Sequence, residues 1–319
     1  MLKLLLLSQR PIIARKYKLA FHFSFFIFSF SFCLLFSSCN TFDPPIIVPV
    51  YGHIDSIHFT VPTDSLTTEG SASAQIPYAW VYLDDASVGA YQMPCTFPII
   101  ASNGIHNIKI YPAIIPAAGG SPAMIYPFYQ FYSVNVNLQQ GSVYKFQPTS
   151  LYFTWVKFPL IESFDAESPG APPAHIINYR GLDKIGASED TMKITYKKSL
   201  VYSGKGSGIA VVNQAHPYYI GITDPPFDSI PSLSSALFLE ANYRATGVFT
   251  IGLVEGDTTN LIQLGLAIYP TTGWNKIYID LAPTVVAYPI RPYRVFFTMT
   301  LQSGDVSDTL LLDNVKLLD

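Results

Sequence analysis

Hydrophobic and polar residues alternate one by one along most of the chain beyond residue 50. The pattern is clearest in segments 133–138, 237–242 and 295–301. A period of two is typical of a β-strand with one buried face, and the longer period of an amphipathic helix is absent. Clusters of Gly, Pro, Asn and Asp separate these short segments. The pattern therefore predicts an all-β chain built from sandwiches or barrels.

The composition of the loops and the density of charged residues both change near residue 160, and this change predicts two domains. Upstream, the segments are joined by Pro-rich loops such as 111–127, and downstream the sequence IESFD at 161–165 opens a more charged region. We predict one sandwich over 51–160 and a second over 161–319. Within the second, strands are expected at 192–202, 208–212, 236–243, 248–254, 261–268, 274–281, 293–301 and 309–318.

The first 38 residues have the three parts of an export signal. A group of basic residues precedes the first acid of the chain: Lys3, Arg10, Arg15, Lys16 and Lys18. An apolar run over 19–36 follows and ends at Ser37 and Ser38, just before Cys39. This order predicts a secretory signal peptide over 1–38. The alternative is an uncleaved transmembrane helix, since about 18–20 apolar residues can span a bilayer.

The sequence FSSC that ends at Cys39 resembles the lipobox of bacterial lipoproteins, and the aromatic-rich signal before it resembles the Bacteroidetes type. The resemblance implies that Cys39 carries acyl chains such as palmitate and becomes the first residue of the mature chain. Phe36 departs from the Leu that the family usually has there. Residues 39–50 are then a short Pro-rich tether. The protein is expected to be exported and lipid-anchored to the outer membrane, on either of its faces.

Composition and charge exclude several classes of protein. Only 13% of the residues are charged, whereas 49% are hydrophobic and 14% aromatic. Disordered chains and coiled coils have the reverse balance. Because many of the basic residues lie in the signal, the remainder of the chain is more acidic than the whole. It therefore lacks the electrostatic footprint of a nucleic-acid-binding protein.

Two segments of the first domain resemble the PEGA and carboxypeptidase-regulatory-like class of small Ig-like sandwiches. They are the sequence AWVYLDDASVG at 79–89 and the sequence GIHNIKI at 104–110. The resemblance implies an Ig-like β-sandwich that serves as a non-catalytic spacer or adaptor. The acids at Asp84 and Asp85 are expected to stabilise a turn rather than to bind a metal.

Three segments of the second domain resemble jelly-roll domains of the carbohydrate-binding-module-like or galactose-binding-like kind. They are IESFD at 161–165, WNKIYIDL at 274–281 and LLLDNVKL at 310–317. The resemblance implies a jelly-roll β-sandwich. It also implies a structural calcium ion held by an opening and a closing acid, for which Glu162, Asp165 and Asp313 are the matching residues. Calcium takes about six to eight oxygen ligands, so carbonyls or water would have to complete such a site. No other cofactor is expected.

Four tyrosines in or beside predicted loops are the candidate ligand-binding residues of the second domain: Tyr218, Tyr219, Tyr288 and Tyr293. An aromatic ring can stack on the apolar face of a sugar. The alternative is that these rings fill turns and sheet edges.

Motifs for catalysis are missing from the sequence, which contains neither G-x-S-x-G nor H-E-x-x-H. Acids at outward strand positions, such as Glu240 and Asp280, are expected to be solvated. We therefore predict a non-enzymatic binding module, with a glycan as its possible ligand. One alternative is a structural subunit or adaptor that docks a protein partner at the outer membrane, and a second is a polysaccharide hydrolase. A surface aromatic platform would favour the first function, an apolar patch the second, and opposed carboxylates in a cleft the third.

Overall fold

The structure, a computed structural model, describes Ile27 and residues 48–117, 122–165, 168–178, 191–227, 236–255, 260–288 and 292–319. The chain divides into two compact units, Met1–Val48 and Pro49–Asp319. The predicted signal peptide, the lipidation site Cys39 and most of the predicted tether lie outside the described residues. In the part of the chain that is described, no helix combines the length and the apolar character needed to cross a membrane.

Strands dominate the unit Pro49–Asp319, and the prediction of an all-β chain is confirmed. The strands of the first half are β1 (Val50–Ile54), β2 (His58–Phe59), β3 (Tyr78–Leu83), β4 (Ala86–Gln92), β5 (Cys95–Ile99), β6 (Gly104–Ile114), β7 (Met124–Ile125), β8 (Tyr132–Leu138), β9 (Val143–Phe146) and β10 (Thr149–Ser150). One short helix, α1 (Leu66–Glu69), follows a 3₁₀ turn at Thr63–Ser65.

The second half continues with strands that are longer on average. They are β11 (Leu160–Glu162), β12 (Ile176–Asn178), β13 (Lys193–Thr195), β14 (Ser207–Asn213), β15 (Tyr218–Thr223), β16 (Phe238–Ala245), β17 (Phe249–Glu255), β18 (Asn260–Ile268), β19 (Asn275–Asp280), β20 (Tyr293–Thr300) and β21 (Ser307–Leu318). The helical segments here are a 3₁₀ turn at Lys198–Leu200 and the helix α2 (Ala282–Ala287), which has Pro in its first turn.

Residues 50–146 form the first sandwich from two sheets. One sheet has the order β5-β1-β9, in which β1 and β9 are parallel. The other has the order β4-β3-β6-β7, with β8 also paired to β6. Because side chains alternate between the two faces of each strand, every second side chain points into a core that the two sheets share. Members of this core include Val50, Ile54, Ala79, Val81, Phe97, Ile99, Ile108, Ile110 and Leu138.

Residues 160–318 form the second sandwich, which is larger. One sheet has the order β13-β14-β21-β16-β19 with β11 also paired to β21, and the other has the order β12-β15-β20-β17-β18. Their inner faces share a core that includes Leu239, Tyr243, Phe249, Leu253, Tyr293, Phe297, Leu310 and Leu312. β21 lies in the middle of its sheet, between β14 and β16.

Most strands of the second sandwich lie where alternation predicts them. The segment predicted at 192–202 is a strand only at Lys193–Thr195, and β11, β12 and β15 are not among the predicted strands. For β15, the sequence places Tyr218 and Tyr219 in a loop whereas the structure places them in a strand. The run YYIGIT of β15 does not alternate, and five of its six residues are buried. A continuous apolar run of this length carries no period from which a strand can be recognised. The boundary predicted near residue 160 stays a prediction, since Pro49–Asp319 is one compact unit.

A third cluster of buried side chains joins the two sandwiches. We call it the junction cluster: Phe59, Ile114, Tyr126, Phe128, Tyr129, Tyr152, Phe238, Tyr278 and Leu318. The ring of Tyr126 lies 5.1 Å from the rings of both Phe238 and Tyr278, in edge-on geometry. Such aromatic pairs contribute about 0.5–1.5 kcal/mol beyond the area that they bury. Residues of the first half thus cover part of the outer face of the sheet that contains β16 and β19.

Buried charges lie within this junction. Glu240 is fully buried, accepts a hydrogen bond of 2.8 Å from the Tyr126 hydroxyl, and forms an ion pair of 2.9 Å with Lys276. Lys316 is also fully buried and donates to the carbonyl of Ser71 at 2.6 Å and to the Tyr152 hydroxyl at 3.3 Å. The expectation that Glu240 is solvated is therefore wrong. Its strand position does point outward, but the first half of the chain covers it.

Burial also changes the acidity of Lys316. Loss of water around its ammonium lowers the pKa of Lys316 from 10.5 to about 7. The charge of Glu240 opposes this shift, and the charge of Lys276 adds to it. Because the native lysine releases its proton at a lower pH than the unfolded one, the unfolded chain binds more protons between these two values. Stability should therefore rise with pH in this window.

We expect the free energy of unfolding of the full chain to rise as the pH is raised from about 7 toward 10, by at most roughly 1.4 kcal/mol per pH unit. The substitution Lys316→Met should remove this rise, because it removes the titrating group. Denaturant unfolding at a series of pH values measures it. Lys145→Met, at an exposed position of β9, is the control and should keep the rise. A rise that persists in Lys316→Met would contradict the assignment.

Candidate functional site

An open groove of about 590 Å³ lies on the outer face of the second sandwich. It is lined by the end of β16, the loop that leads into β19, and the outward positions of β21. The lining residues are Leu200, Arg244, Ala245, Thr246, Pro270, Thr271, Thr272, Thr309 and Leu311. The backbone bond from Thr271 N to the carbonyl of Ala245, at 3.0 Å, fixes the loop against β16. We call this feature the Arg244 groove.

Arg244 is the charged residue of the groove lining. It continues the outward series Phe238, Glu240 and Asn242 of β16, and its Nη2 donates to the carbonyl of Ser199 at 2.9 Å. A guanidinium has five N–H donors, so one bond leaves most of its donor capacity for other partners. Arg244 is therefore a lining residue of the groove with unused hydrogen-bond donors.

Two aromatic rings lie beside Arg244. The guanidinium carbon is 5.6 Å from the ring centroid of Trp274, within the range of a cation–π contact. The ring of Tyr202 lies 5.4 Å from that of Trp274, and 41% of Tyr202 is exposed. The contact with Trp274 restricts the orientation of the guanidinium. Arg244 lines the groove, and the two rings lie next to it outside the residues that form the lining.

The rest of the lining is apolar or carries hydroxyl groups. Leu200, Ala245 and Leu311 supply aliphatic surface, and four threonines supply hydroxyls. The hydroxyl of Thr246 is already engaged, since it donates to Asp308 at 3.0 Å and accepts from the backbone of Thr309 at 2.8 Å. The lining residues include no carboxylate. Hydrolysis of a glycosidic bond needs paired carboxylates on either side of the bond, and these lining residues do not supply them.

The structure separates the four predicted tyrosines into two kinds. Tyr219 and Tyr293 are fully buried in the core of the second sandwich, so the prediction that they belong to a surface platform is wrong. Each lies on a strand and points inward, where its ring fills the core. Tyr218 is half-buried at the start of β15, and 42% of Tyr288 is exposed. The hydroxyl of Tyr293 donates to the carbonyl of Tyr288 at 2.5 Å, so these two residues do lie together.

The predicted calcium ligands are engaged with the protein backbone. Glu162 accepts from the backbone N–H groups of Phe164 and His175, at 2.9 and 2.7 Å. Asp165 accepts from the N–H groups of Lys205 and Gly206, at 2.6 and 3.0 Å.

Asp313, the third predicted ligand, accepts from the hydroxyl of Ser207 at 2.7 Å. Across the described ranges, no group of three or more His, Cys, Asp or Glu side chains could hold a metal ion. Asp165 and Asp313 lie near each other, since the charge of Asp165 acts on Asp313, and a calcium ion held by Glu162, Asp165 and Asp313 stays a prediction.

Asp313 has an unusual environment. It is fully buried, and loss of solvation raises its pKa from 3.8 to about 7. Hydrogen bonds from Ser207 and from two backbone N–H groups oppose this shift, while the charge of Asp165 adds to it. The next residue, Asn314, has φ of 47°, and the register with β16 shifts at this point. The resulting irregularity in β21 lets Asp313 reach the loop that contains Ser203.

The sequence predictions missed Arg244, which lines the groove, and Trp274, whose ring lies beside Arg244. Trp274 opens one of the jelly-roll segments but was not a predicted site residue, and Arg244 follows directly after the predicted strand 236–243. Extending the alternation of that strand by one residue would have placed Arg244 outward. The proximity of Trp274 to Arg244 depends on the pairing of β16 with β19, in which Tyr243 is opposite Asn275. A single sequence does not reveal that register.

Comparisons with known proteins give similarities only among solved structures. No protein-family model matches the chain, and no curated protein matches it. A family 29 carbohydrate-binding module in complex with mannohexaose is 13% identical, covering 51% of this chain and 92% of that chain, with a TM-score of 0.32. A cleaved adhesin domain of Lys-gingipain is 13% identical, covering 52% and 98%, with a TM-score of 0.34. Similarities at this level carry no inference about a ligand.

We expect the free energy of unfolding to fall as the pH rises from about 4 to about 7. The reason is that native Asp313 keeps a proton that the unfolded chain releases above its ordinary pKa of 3.8. Asp313→Asn should reduce this fall, and denaturant unfolding across the pH series measures it. Asp305→Asn, at an exposed loop position, is the matched control and should leave the fall unchanged.

The same measurement tests the predicted calcium site. If Asp313 acts as a buried hydrogen-bonded acid, an excess of calcium should leave the unfolding of the wild-type chain unchanged. Stabilisation by calcium that is lost in Asp313→Asn would contradict this description and would support the metal site.

Proposed function

We propose that this chain is a non-enzymatic, lipid-anchored protein of the cell envelope that binds a glycan in the Arg244 groove. The observation that carries the proposal is the position of Arg244 at the groove wall, where its guanidinium lies 5.6 Å from the Trp274 ring. A sugar offers apolar C–H faces and a rim of hydroxyls. An aromatic ring beside a fixed, planar set of donors matches both parts of that surface.

The non-enzymatic part of the proposal follows from the groove lining. Hydrolysis of a glycosidic bond needs an acid and a second carboxylate on opposite sides of the sugar. The lining residues supply a guanidinium, hydroxyls and apolar groups. These groups can bind and orient a ligand, whereas none of them is a general acid or base near neutral pH.

The experiment measures binding of the full chain, in detergent micelles, to an array of neutral and acidic oligosaccharides. We expect binding to at least one glycan of the array, and we expect Arg244→Lys to weaken it about five- to tenfold, near 1–1.5 kcal/mol. Lysine keeps the charge but loses the planar fork of donors. Trp274→Ala should weaken binding as well, because it removes both the ring and the support for Arg244.

Trp155→Ala is the matched control for the tryptophan substitution. Trp155 is 56% exposed and lies in the first half of the chain, away from the groove lining. Its loss should leave glycan binding in the groove unchanged. Equal binding by the wild-type chain, Arg244→Lys and Trp274→Ala, or turnover of the bound glycan, would overturn the proposed function.

The proposed anchoring has a separate test. Cys39→Ala should abolish incorporation of a fatty-acid analogue and release the protein from the membrane fraction, because the thiol that accepts the lipid is gone. Cys95→Ala, which changes a half-buried cysteine of β5, is the control and should keep both the label and the membrane association. Unchanged labelling of Cys39→Ala would contradict lipidation at this residue.

A further inference from the structure

The first sandwich carries aromatic side chains on the face that points away from its core. In β3, Ala79 and Val81 are fully buried, whereas Tyr78, Trp80 and Tyr82 between them are partly exposed. The outward positions of an antiparallel sheet usually hold polar residues. Aromatic residues favour strands, so one explanation for three rings on one strand is that they only stabilise the sheet. The other explanation is that they bind a ligand. The side chains on the neighbouring strands distinguish these two explanations.

The rings continue across the sheet onto the next two strands. Trp80 is opposite Tyr111 of β6 in the register. The ring of Tyr111 lies 5.2 Å from that of Tyr82 and 4.7 Å from that of Phe131, which directly precedes β8. Phe131 is 38% exposed. We call these four side chains, Trp80, Tyr82, Tyr111 and Phe131, the aromatic face.

Uncharged hydrogen-bonding groups border the aromatic face. Asn107 of β6 is opposite Asn135 of β8, and its Nδ2 donates to Asn135 Oδ1 at 2.8 Å and to Ser133 Oγ at 3.1 Å. These amides and this hydroxyl lie on the same side of the sheet as the rings. An amide supplies donors and acceptors together, which is what a set of sugar hydroxyls requires.

The charge on this side of the sheet is compensated. Lys109 is opposite Tyr82, and its Nζ lies 5.8 Å from the ring centroid of Phe131. The same Nζ forms an ion pair with Asp85 in the β3–β4 turn. A nucleic acid or an acidic polymer would need uncompensated cations here. The aromatic face with its amide border therefore fits a neutral ligand.

We propose that the aromatic face is a second glycan-binding site, which takes a neutral polysaccharide chain lying across β3, β6 and β8. The rings contact the apolar C–H surfaces of the sugars, and the asparagine and serine side chains bond to their hydroxyls. The site goes beyond the proposed function of the groove, because it lies on the other sandwich and shares no residue with the groove lining.

The test titrates the full chain in detergent micelles with soluble mannan, xylan and mixed-linkage β-glucan, and with polygalacturonate as an acidic comparison. We expect at least one neutral polysaccharide to bind. Trp80→Ala and Tyr82→Ala should each lower the affinity roughly three- to tenfold. Tyr82→Phe keeps the ring and should retain most of the affinity.

Tyr51→Ala is the matched control, because Tyr51 is 39% exposed on β1, in the opposite sheet of the same sandwich. It should bind as the wild type does. Unfolding transitions recorded for each variant separate loss of binding from loss of folding. Folded Trp80→Ala and Tyr82→Ala proteins with wild-type affinity would overturn the proposal, as would binding of polygalacturonate alone.

The groove variant Arg244→Lys separates the two sites. If it abolishes binding of the neutral polysaccharides while Trp80→Ala has no effect, the aromatic face is overturned and the groove stands. If Trp80→Ala weakens binding while Arg244→Lys has no effect, the aromatic face is supported and the groove is overturned. Additive losses in the double variant support two independent sites.

Discussion

The burial of the Glu240 carboxylate is the constraint on which the junction of the two sandwiches depends. A carboxylate without solvent contact is stable only when it is paired and hydrogen-bonded. Glu240 obtains its partners from both halves of the chain, since Lys276 lies in β19 and Tyr126 in the first half. Removing one partner of such a buried pair typically costs about 3–5 kcal/mol. Loss of Lys276 from the covered sheet would therefore leave Glu240 as an unpaired buried charge.

The same constraint divides the outer face of that sheet into two regions. The junction cluster covers the region around Phe238, Glu240 and Tyr278. Further along β16, Arg244 lies beyond this cover, where the groove opens. One strand thus supplies a charged contact to the interior of the protein at one end and a donor to the groove at the other. In the first sandwich, Trp80 and Tyr82 stay partly exposed among the residues that the structure describes.

Local pattern predicted most of the fold, because each half-buried strand carries its own period. Segments 236–243, 274–281 and 309–318 correspond closely to β16, β19 and β21. β15 escaped prediction because it is buried on both sides and shows no alternation. The burial of Glu240 could not be predicted either. Its strand position indicates only that it points away from the core of its own sandwich, and Tyr126 and Tyr152, which cover it, lie 114 and 88 residues earlier.

The candidate sites were harder to predict than the strands. Tyr219 and Tyr293 stand beside Pro-rich loops in the sequence, but strand direction turns both rings inward. The aromatic face had a visible signal in the alternation of Tyr78, Trp80 and Tyr82 with small apolar residues. Only the register of β3 with β6 and of β6 with β8 shows that these rings lie beside those of other strands. Pairing between distant strands is the information that a single sequence lacks.

The position of β21 has a consequence for the order in which the protein can be made. All the partners of β21 precede it in the chain, yet it lies between β14 and β16 and also pairs with β11. Until β21 has been synthesised, those strands have no neighbour at the centre of their sheet. Closing loops of this length is slow, and open strand edges pair readily with other chains. The sheet that contains β14 and β16 therefore cannot be completed before β21 has been synthesised, and its open strand edges need protection from aggregation until then.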